Sequence, residues 1–137
     1  MTRTYVKGRA SSDIKRLYTT VCEGQDIGLS MVHDGADATR IHQAISKHFD
    51  QQGYPTKMVR GKQTGFFHGT GHGVGLQIHA APVVAISQST LQAGRVVTVE
   101  PGLSYPGLGV VRIEGMVVVR KDGCENLTRY KRQLVIQ

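Results

Sequence analysis

Apolar side chains recur at helical spacing in the first part of the chain. Between residues 12 and 35 they fall at Ile14, Leu17, Tyr18, Val21, Cys22, Ile27, Leu29 and Val32. This spacing of three and four residues places them on one helical face and predicts an amphipathic helix that ends near His33-Asp34-Gly35. Ser11 or Ser12 is a suitable N-cap, because a serine hydroxyl can accept a hydrogen bond from a free backbone N–H of the first turn.

A second helix is predicted to begin after Asp37 and to end before Gly53-Tyr54-Pro55. Its apolar and aromatic positions are Ile41, Ala44, Ile45, His48 and Phe49. Asp37 is a plausible N-cap, and the glycine and proline that follow stop the helix. Ahead of both helices, polar residues alternate with β-branched or aromatic ones over Thr2–Lys7, which predicts a short strand.

After Pro55 the pattern changes to β-branched runs that are separated by glycine. The runs Arg95–Glu100, Gly109–Glu114 and Met116–Arg120 are typical of strands. Turn signals stand between or after them, at Pro101-Gly102, Pro106-Gly107 and Lys121-Asp122-Gly123. This arrangement predicts an antiparallel sheet.

The order of the elements predicts an α+β fold. Helices in one block and strands in another place the helices on one face of a curved antiparallel sheet. A length of 137 residues suits one domain of ordinary size, and no linker, low-complexity tract or repeat divides the chain. We therefore expect residues 1–137 to form a single domain.

The chain is basic, with 17 Lys and Arg residues against 10 Asp and Glu residues and a formal charge of +7. This charge raises encounter rates with anionic partners but assigns no function. Aromatic residues make up 6% of the chain, tryptophan is absent, and the basic residues are not interleaved with the aromatic ones. The composition therefore argues against a base-stacking surface for nucleic acid.

The cysteines and the start of the sequence indicate a cellular compartment. Cys22 and Cys124 lie far apart without a CxxC spacing, which favours two reduced thiols over a disulfide framework or a metal knuckle. The first 20 residues are charged throughout and lack the apolar stretch of a secretory signal. No apolar run approaches the roughly 18 residues that span a bilayer. We expect a cytoplasmic protein that does not enter a membrane.

The segment Phe67–Pro82, FHGTGHGVGLQIHAAP, combines His68, His72 and His79 with four glycines. Glycine at this density makes a helix costly, so an extended or looping backbone is expected. Residues four apart on an extended segment point to the same side, so His68 and His72 can face a common pocket. A lone histidine is usually a surface residue or a satisfied core residue, but three among so many glycines favour a site.

A glycine-rich phosphate cradle over Gly69–Gly75 is a weaker interpretation of the same segment. No Lys-Ser or Lys-Thr pair follows the glycines, and no strand-to-helix unit is evident there. Phosphate recognition therefore has little support from the sequence.

Two carboxylates end β-branched runs, Glu100 in VVTVEPG and Glu114 in VVRIEGM. A charged side chain is costly to bury in a central strand unless it is paired or binds a metal ion. The alternative is that each glutamate lies at a strand end and faces water. A pair of glutamates with an imidazole suits Mn²⁺, Co²⁺, Fe²⁺ or Zn²⁺ in a hydrolytic centre. Arg112 shares the strand face of Glu114 and could orient a carboxylate ligand.

Three ordered segments carry a resemblance to a known family: HGTGHGVGLQIHAAP, LQAGRVVTVEPGLSYPG and GVVRIEGMVVVRKDGCENLT. Together they resemble the C-terminal catalytic half of the pita-bread metallopeptidases. That family includes methionine aminopeptidases, Xaa-Pro aminopeptidases, Xaa-Pro dipeptidases and creatinase, and the similarity is greatest to the Xaa-Pro branch. The resemblance implies a partial pita-bread fold over residues 1–137, with the N-terminal half of that fold absent.

The resemblance also implies a site with two divalent metal ions. His72, Glu100 and Glu114 would be metal ligands, and Glu100 would in addition act as a general base. His79 would stabilise the substrate carbonyl or the oxyanion of the intermediate, and His68 would line the substrate pocket. The implied reaction removes the N-terminal residue from a peptide that has proline at its second position.

The sequence departs from the family pattern in three places. The family's centre has two further aspartate ligands, the second of them directly before the segment that here is Met1-Thr2-Arg3-Thr4, so we expect this chain to lack both. The usual His-Glu-x-Pro is His79-Ala80-Ala81-Pro82, and the usual acidic residue after Glu114 is Gly115. Because metal affinity depends on the number of ligands, three of five predict an isolated chain without activity.

Two functional hypotheses follow. The first is a fragment or truncated relative of a dinuclear exopeptidase. The second is a catalytically dead pita-bread module that binds a peptide, protein or RNA partner. In either case the sheet face and edge that the other half of the fold would cover are exposed, so we expect a homodimer or association with a separately encoded half.

Overall fold

A computed structural model describes all residues, 1–137, as two helices and eleven strands. In chain order they are β1 Val6–Lys7, α1 Ser12–Met31, α2 Ala38–Gln51, β2 Lys57–Val59, β3 Lys62–Thr64, β4 Gly71–Gly73, β5 Ala80–Val84, β6 Val96–Val99, β7 Gly102–Tyr105, β8 Gly109–Arg112, β9 Gly115–Arg120, β10 Gly123–Asn126 and β11 Val135–Ile136. The structure thus has the expected α+β class, with helices in the first third of the chain and strands in the rest.

Both helices begin at the capping residues that the sequence indicates. The Ser11 side chain accepts a hydrogen bond from the Ile14 backbone N–H at 3.3 Å, so Ser11 is the N-cap of α1. The Asp37 carboxylate accepts one from the Thr39 N–H at 2.8 Å and caps α2. These bonds satisfy backbone donors that have no partner inside a helix, and they confirm the predicted starts.

The buried face of α1 differs from the predicted one. Ile27 and Leu29 are only partly buried, whereas Gly24, Gln25 and Gly28 are fully buried. Small residues allow close approach of neighbouring elements, so the C-terminal part of the helix turns Gly24 and Gly28, rather than Ile27 and Leu29, most fully toward the core. Counting apolar residues alone therefore placed the C-terminal part of this face incorrectly.

The central element is a five-stranded antiparallel sheet with the order β10-β9-β6-β4-β5. Along β9 the burial alternates strictly, with Gly115, Val117 and Val119 buried and the residues between them partly exposed. This alternation is that of a strand packed on one face. Lys121-Asp122 forms the predicted turn between β9 and β10.

The second β-branched run does not join the central sheet. Strand β8 pairs with β7 in a separate two-stranded sheet. Gly102 is the first residue of β7, so the prediction of a turn at Pro101-Gly102, before Leu103, was wrong. A Cβ on Gly102 would lie 3.0 Å from the Val111 carbonyl oxygen, so this glycine permits close packing. Pro106-Gly107 is the turn of this hairpin, as predicted.

The first strand is shorter than predicted and pairs in an unexpected direction. Only Val6–Lys7 is a strand, and it runs parallel to β11. The predicted strand residues Thr2 and Thr4 instead bind Arg112 and Glu114. The Thr4 hydroxyl accepts from the Arg112 N–H and donates to its carbonyl oxygen, each at 3.0 Å. Side-chain hydroxyls thus replace part of the backbone ladder.

The core lies between the two helices and the sheets. Helix α1 packs on α2 and on β6, β7, β8 and β10, and α2 packs on β5. The largest fully buried side chains come from both helices, from the strands and from the segments between strands, and they include Leu17, Ile41, Phe49, Leu91 and Ile113. Neither helix is both long and apolar enough to cross a membrane.

Candidate metal centre

Three side chains that can bind a metal ion converge at one end of the central sheet. His72 lies in the middle of β4, Glu100 directly follows β6, and Glu114 directly precedes β9. Because β6 lies between β4 and β9, the three positions are neighbours. One ligand atom from each side chain lies within 4.8 Å of the others, and all three residues are partly buried. The structure thus brings together the three residues that the sequence indicated as metal ligands.

Glycines on both sides of His72 allow its backbone to enter the sheet. A Cβ on Gly71 would lie 1.8 Å from the Thr98 carbonyl oxygen, and one on Gly73 would lie 2.1 Å from the Ala81 carbonyl oxygen. Neither position can hold a larger residue without separating the strands. The two glycines therefore explain how a histidine is placed at the centre of a tightly packed ladder.

The ring of His72 is oriented by its own strand. Its Nδ1 lies 3.0 Å from the Gly73 carbonyl oxygen, so the Nδ1–H donates to that oxygen and the lone pair is on Nε2. Nε2 lies 3.2 Å from Oε1 of Glu100. In this tautomer two acceptors face each other, which is an unfavourable arrangement unless a cation or a proton lies between them.

Glu100 has two further polar neighbours. The Thr98 hydroxyl lies 3.1 Å from Oε1 of Glu100 and also accepts a hydrogen bond from the His72 N–H at 3.0 Å. On the other side, Nη1 of Arg112 is 3.9 Å from Oε2 of Glu100. Arg112, which the sequence indicated as a residue that orients a carboxylate, thus lies next to Glu100. Its buried Nε has no hydrogen-bond partner.

Glu114 is fixed by the segment at residues 1–3. Thr2 donates a hydrogen bond from its hydroxyl to Oε2 of Glu114, and the α-amino group of Met1 lies 3.4 Å from the same oxygen. The backbone is fixed as well, because the Arg3 guanidinium donates to the carbonyl oxygen of Glu114 at 2.6 Å. Arg3 also donates to the carbonyl oxygens of Tyr130 and Lys131, so it ties three segments together.

A cavity of about 280 Å³ opens beside these ligands. Its lining includes His68, His72, His79, Glu100 and Arg112. The rings of His72 and His79 lie edge to face with centroids 4.6 Å apart. The pocket that the sequence predicted for His68 and His72 is thus present.

His68 is held at the side of this cavity. Its Nδ1 lies 2.8 Å from the Gly69 carbonyl oxygen, and its ring packs edge to face on Phe66. Burial lowers the pKa of His68 below its ordinary value, because the charged form is poorly solvated there. His68 therefore presents a neutral imidazole at neutral pH.

The donor set suits a divalent cation. Val99 and Gly115 are the last paired residues of the β6–β9 ladder. In the same register, Glu100 and Glu114 stand opposite each other, one residue beyond its end. Like charges in opposite cross-strand positions repel each other. One imidazole nitrogen and two carboxylates that converge within 4.8 Å match the ligand preferences of Mn²⁺, Co²⁺, Fe²⁺ and Zn²⁺. No aspartate belongs to the cluster.

The phosphate cradle is not formed. The glycine-rich segment contains strand β4, and the next regular element is strand β5 rather than a helix. Phosphate loops depend on the free N–H groups of a following helix, which are absent here.

Sequence analysis missed two residues that shape the site. Thr98 contacts both His72 and Glu100, and its only sequence signal is a threonine in the run of valines before Glu100. Gln25 is buried in α1 and binds the backbone next to both glutamates. Its signal is a polar residue next to the buried glycine Gly24, which the apolar pattern alone does not explain.

Comparisons with known proteins show which sequences this chain is similar to. The sequence profile of metallopeptidase family M24 matches residues 1–121. An uncharacterized peptidase of Bacillus subtilis is 32% identical over 137 residues, which are 99% of this chain and 36% of that protein. The Xaa-Pro dipeptidase of Pyrococcus furiosus is 32% identical over 136 residues, which are 98% of this chain and 37% of that protein.

Solved structures give the same result. The Xaa-Pro dipeptidase from Bacillus anthracis superposes with a TM-score of 0.87 at 36% identity, and the match covers 98% of this chain and 36% of that one. The chain therefore has the fold of the corresponding part of this protein, and it spans little more than a third of the length of the relatives that it matches.

Proposed function

This chain belongs to metallopeptidase family M24, and we propose that it supplies the histidine and glutamate ligands of a metal-dependent centre that hydrolyses the N-terminal peptide bond of a peptide. The observation that carries the proposal is the convergence of His72, Glu100 and Glu114 within 4.8 Å at one end of the sheet. The like charges of Glu100 and Glu114 and the lone pair on Nε2 of the neutral His72 ring both favour a cation at this place.

The metal ligands in this proposal are Nε2 of His72 and the carboxylates of Glu100 and Glu114. Mn²⁺, Co²⁺, Fe²⁺ and Zn²⁺ suit this donor set, and the complete family site holds two such ions. A divalent ion supplies an activated water and polarises the scissile carbonyl. Arg112 orients the Glu100 carboxylate from 3.9 Å away.

The other side chains of the cavity act on the substrate. Glu100 takes a proton from the attacking water at one of its carboxylate oxygens. His79, which packs against His72, donates a hydrogen bond to the substrate carbonyl oxygen or to the oxyanion that forms from it. His68, neutral because of its burial, lines the pocket and contacts the substrate.

The proposed substrate is a peptide with proline at the second position. Relatives with this chain's fold include the Xaa-Pro dipeptidases of Pyrococcus furiosus and Bacillus anthracis, and the resemblance of the three motifs is to the same branch. A small cavity beside the ligands suits the first residues of a peptide better than a folded protein.

We further propose that the 137-residue chain alone binds metal but does not hydrolyse peptides. The cluster offers three donors, and a dinuclear centre of this family needs two aspartates in addition. A second chain, either another copy or the other half of the fold, would complete the structure. The exposed apolar side chains Leu76, Ile78 and Ile86 support such an association.

The central test is a calorimetric titration of the chain with Mn²⁺ and Co²⁺, together with an assay of N-terminal residue release from Xaa-Pro and Xaa-Ala peptides. We expect metal binding in the wild type and a large loss of affinity in Glu114→Gln. Release of the N-terminal residue from Xaa-Pro peptides is expected only when the complementary half is added. Wild-type chain that binds neither ion would overturn the metal centre.

Two further results bear on the separate proposals. Metal-dependent hydrolysis by the chain alone would contradict its proposed inactivity. Metal-independent binding of a peptide or RNA, with no metal binding, would favour the binding-module hypothesis instead. Light scattering tests the association, and a monodisperse monomer would contradict it.

A further inference from the structure

Gln25 bridges the two strand ends that carry the glutamates. This side chain projects from α1 and is 4% exposed. Its Nε2 donates one hydrogen bond to the Val99 carbonyl oxygen at 3.0 Å and another to the Ile113 carbonyl oxygen at 3.2 Å. Val99 and Ile113 directly precede Glu100 and Glu114. One amide group therefore contacts both peptide units that lead into the two carboxylate ligands.

We propose that Gln25 is a positioning residue that sets the spacing between the Glu100 and Glu114 carboxylates. The inference rests on the proposed function of these glutamates as metal ligands. The argument is geometric. A peptide unit is planar, so a hydrogen bond that fixes the carbonyl oxygen of one residue also fixes the position of the next residue's Cα. The peptide units that precede both glutamates are therefore hydrogen-bonded to the same donor, the amide of Gln25.

Strand pairing alone does not provide this control. The β6–β9 ladder ends at Val99 and Gly115, and neither glutamate lies in a strand. Beyond the glutamates a single long backbone bond, from the Ile113 N–H to the Pro101 carbonyl oxygen at 3.4 Å, joins the two segments. Opposite carboxylates at this end of the ladder repel each other. The two shorter bonds from Gln25 add to this pairing at the peptide units that lead into the glutamates.

The position of α1 makes the contact possible. A Cβ on Gly28 would lie 2.9 Å from Val99 Cγ1, and a Cβ on Gly24 would lie 2.6 Å from the Phe49 ring. These two glycines, one helical turn apart, bring α1 close to β6 and to α2. Larger residues would move the helix away from the sheet, and the amide of Gln25 would then not reach both carbonyl oxygens.

The amide of Gln25 is also held in one orientation. Its Oε1 accepts a hydrogen bond from Nη1 of Arg132 at 3.4 Å, and Arg132 is itself paired with Asp26 at 2.7 Å. Reversal of the amide would place Oε1 against two carbonyl oxygens and Nε2 against a guanidinium. Arg132 therefore selects the orientation that donates to Val99 and Ile113.

The test compares Gln25→Met with Thr20→Val by calorimetric titration with Mn²⁺. Methionine has a similar shape but no donor, so both carbonyl oxygens lose their partner. Thr20 is an equally buried polar residue of the same helix, and it donates only to the Arg16 carbonyl oxygen within that helix. We expect Gln25→Met to raise the Kd for the metal about 10-fold or more, as for other residues that orient metal ligands. Thr20→Val should leave the Kd unchanged.

The outcomes separate the two proposals. If wild-type chain binds no metal, the proposed function fails. If wild-type chain binds metal and Gln25→Met binds it equally well, the positioning role is overturned. Equal losses in both variants would also overturn it, since they would indicate a general effect of destabilising α1.

A second variant covers the case in which Gln25→Met does not fold. Arg132→Met keeps both donors of Gln25 and removes the group that orients its amide, together with the exposed pairing of Arg132 with Asp26. We expect a rise in the Kd for Mn²⁺ that is smaller than about 10-fold, because the donors remain but are no longer fixed. A folded Arg132→Met protein with wild-type metal affinity would contradict the account of how the amide is held.

Discussion

The candidate metal centre has two sides that are built in different ways: a carboxylate side, formed by Glu100 and Glu114, and a loop side, formed by the segment 74–79 that ends at His79. Glu100 and Glu114 follow or precede buried strands and contact Thr98, Arg112 and Thr2. His79, in contrast, ends the segment 74–79, which contains no strand and in which every residue is exposed. One side of the site is thus part of the packed core, and the other is a surface segment.

This difference indicates how the two properties of the site should respond to change. Metal affinity depends on groups that the core fixes, so mutations in the core should affect it from a distance. Contacts with substrate depend on a segment that the core does not constrain, as is common for binding loops on rigid scaffolds. Four predictions test this contrast.

The largest effect is expected for Gly71→Ala. Because its Cβ would collide with the Thr98 carbonyl oxygen at 1.8 Å, strands β4 and β6 must separate. We expect a loss of about 3 kcal/mol or more in the free energy of unfolding, at the upper end for overpacked positions. Urea denaturation followed by circular dichroism measures it.

Gly69→Ala is the matched control for this change. A Cβ on Gly69 would meet Ala85 Cβ at 3.4 Å, an ordinary contact, so its unfolding midpoint should stay close to that of the wild type. Equal midpoints for Gly71→Ala and Gly69→Ala would show that β4 is not fixed by the core, and the contrast would be lost.

Glu114→Gln should lower metal affinity more than any change on the loop side. We expect the Kd for Mn²⁺ to rise about 100-fold or more, beyond the range for residues that only orient a ligand. Calorimetric titration measures the effect.

Glu125→Gln provides the comparison for Glu114→Gln. Glu125 is exposed and pairs with Arg120 away from the site. Its replacement should not change metal affinity. Unchanged affinity in both variants would exclude Glu114 as a ligand.

Lowering the pH should reduce the stability of the carboxylate side, because His42, which is linked to it through Thr70, takes up a proton. Burial lowers the pKa of this histidine below its ordinary value, and its Nδ1 contacts the Thr70 hydroxyl, while the Thr70 carbonyl oxygen accepts from the Glu100 N–H. The unfolded chain therefore takes up a proton at higher pH than the folded chain does. Stability from a neutral His42 is present above about pH 6.5 and is lost as the pH falls.

A His42→Gln variant should show a shallower decline in stability between about pH 7 and about pH 5. Unfolding midpoints measured across this interval give the slope. A wild-type slope in His42→Gln would remove His42 from the pH response.

The smallest effects belong to the loop side. The double change Leu76→Ser and Ile78→Ser replaces two highly exposed apolar side chains. We expect unfolding free energy to change by less than about 0.5 kcal/mol and metal affinity to be the same. A marked loss of metal affinity in this variant would mean that the segment supports the ligands, contrary to the contrast drawn above.

The elements that the sequence predicts well are those with local causes. Helices α1 and α2 begin at Ser11 and Asp37 because each cap bonds with its own first turn, within three residues. The sheet that a strand joins is not decided locally. The local turn at Pro106-Gly107 indicates that β7 pairs with β8, but nothing near it indicates that this hairpin stays separate from the central sheet.

The same distinction applies to the site. His72, Glu100 and Glu114 could be predicted as candidate ligands from their residue types and motifs, and the structure brings them together. Gln25 was not identified, since an amide in a helix gains its role only when the helix packs on two distant strand ends. Thr2 likewise appeared to be a strand residue until its hydroxyl was found on Glu114.

Arg3 has a consequence for the order of folding. Its bond to the carbonyl oxygen of Glu114 joins residues separated by 111 positions, and its bonds to Tyr130 and Lys131 join residues still farther apart. A contact between residues this far apart in sequence closes a long loop. Its favourable free energy offsets the entropy cost of closing that loop only after most of the chain has folded. The surroundings of Glu114 should therefore be among the last parts of the molecule to assemble, so that this side chain takes its place in the candidate cluster only when folding is nearly complete.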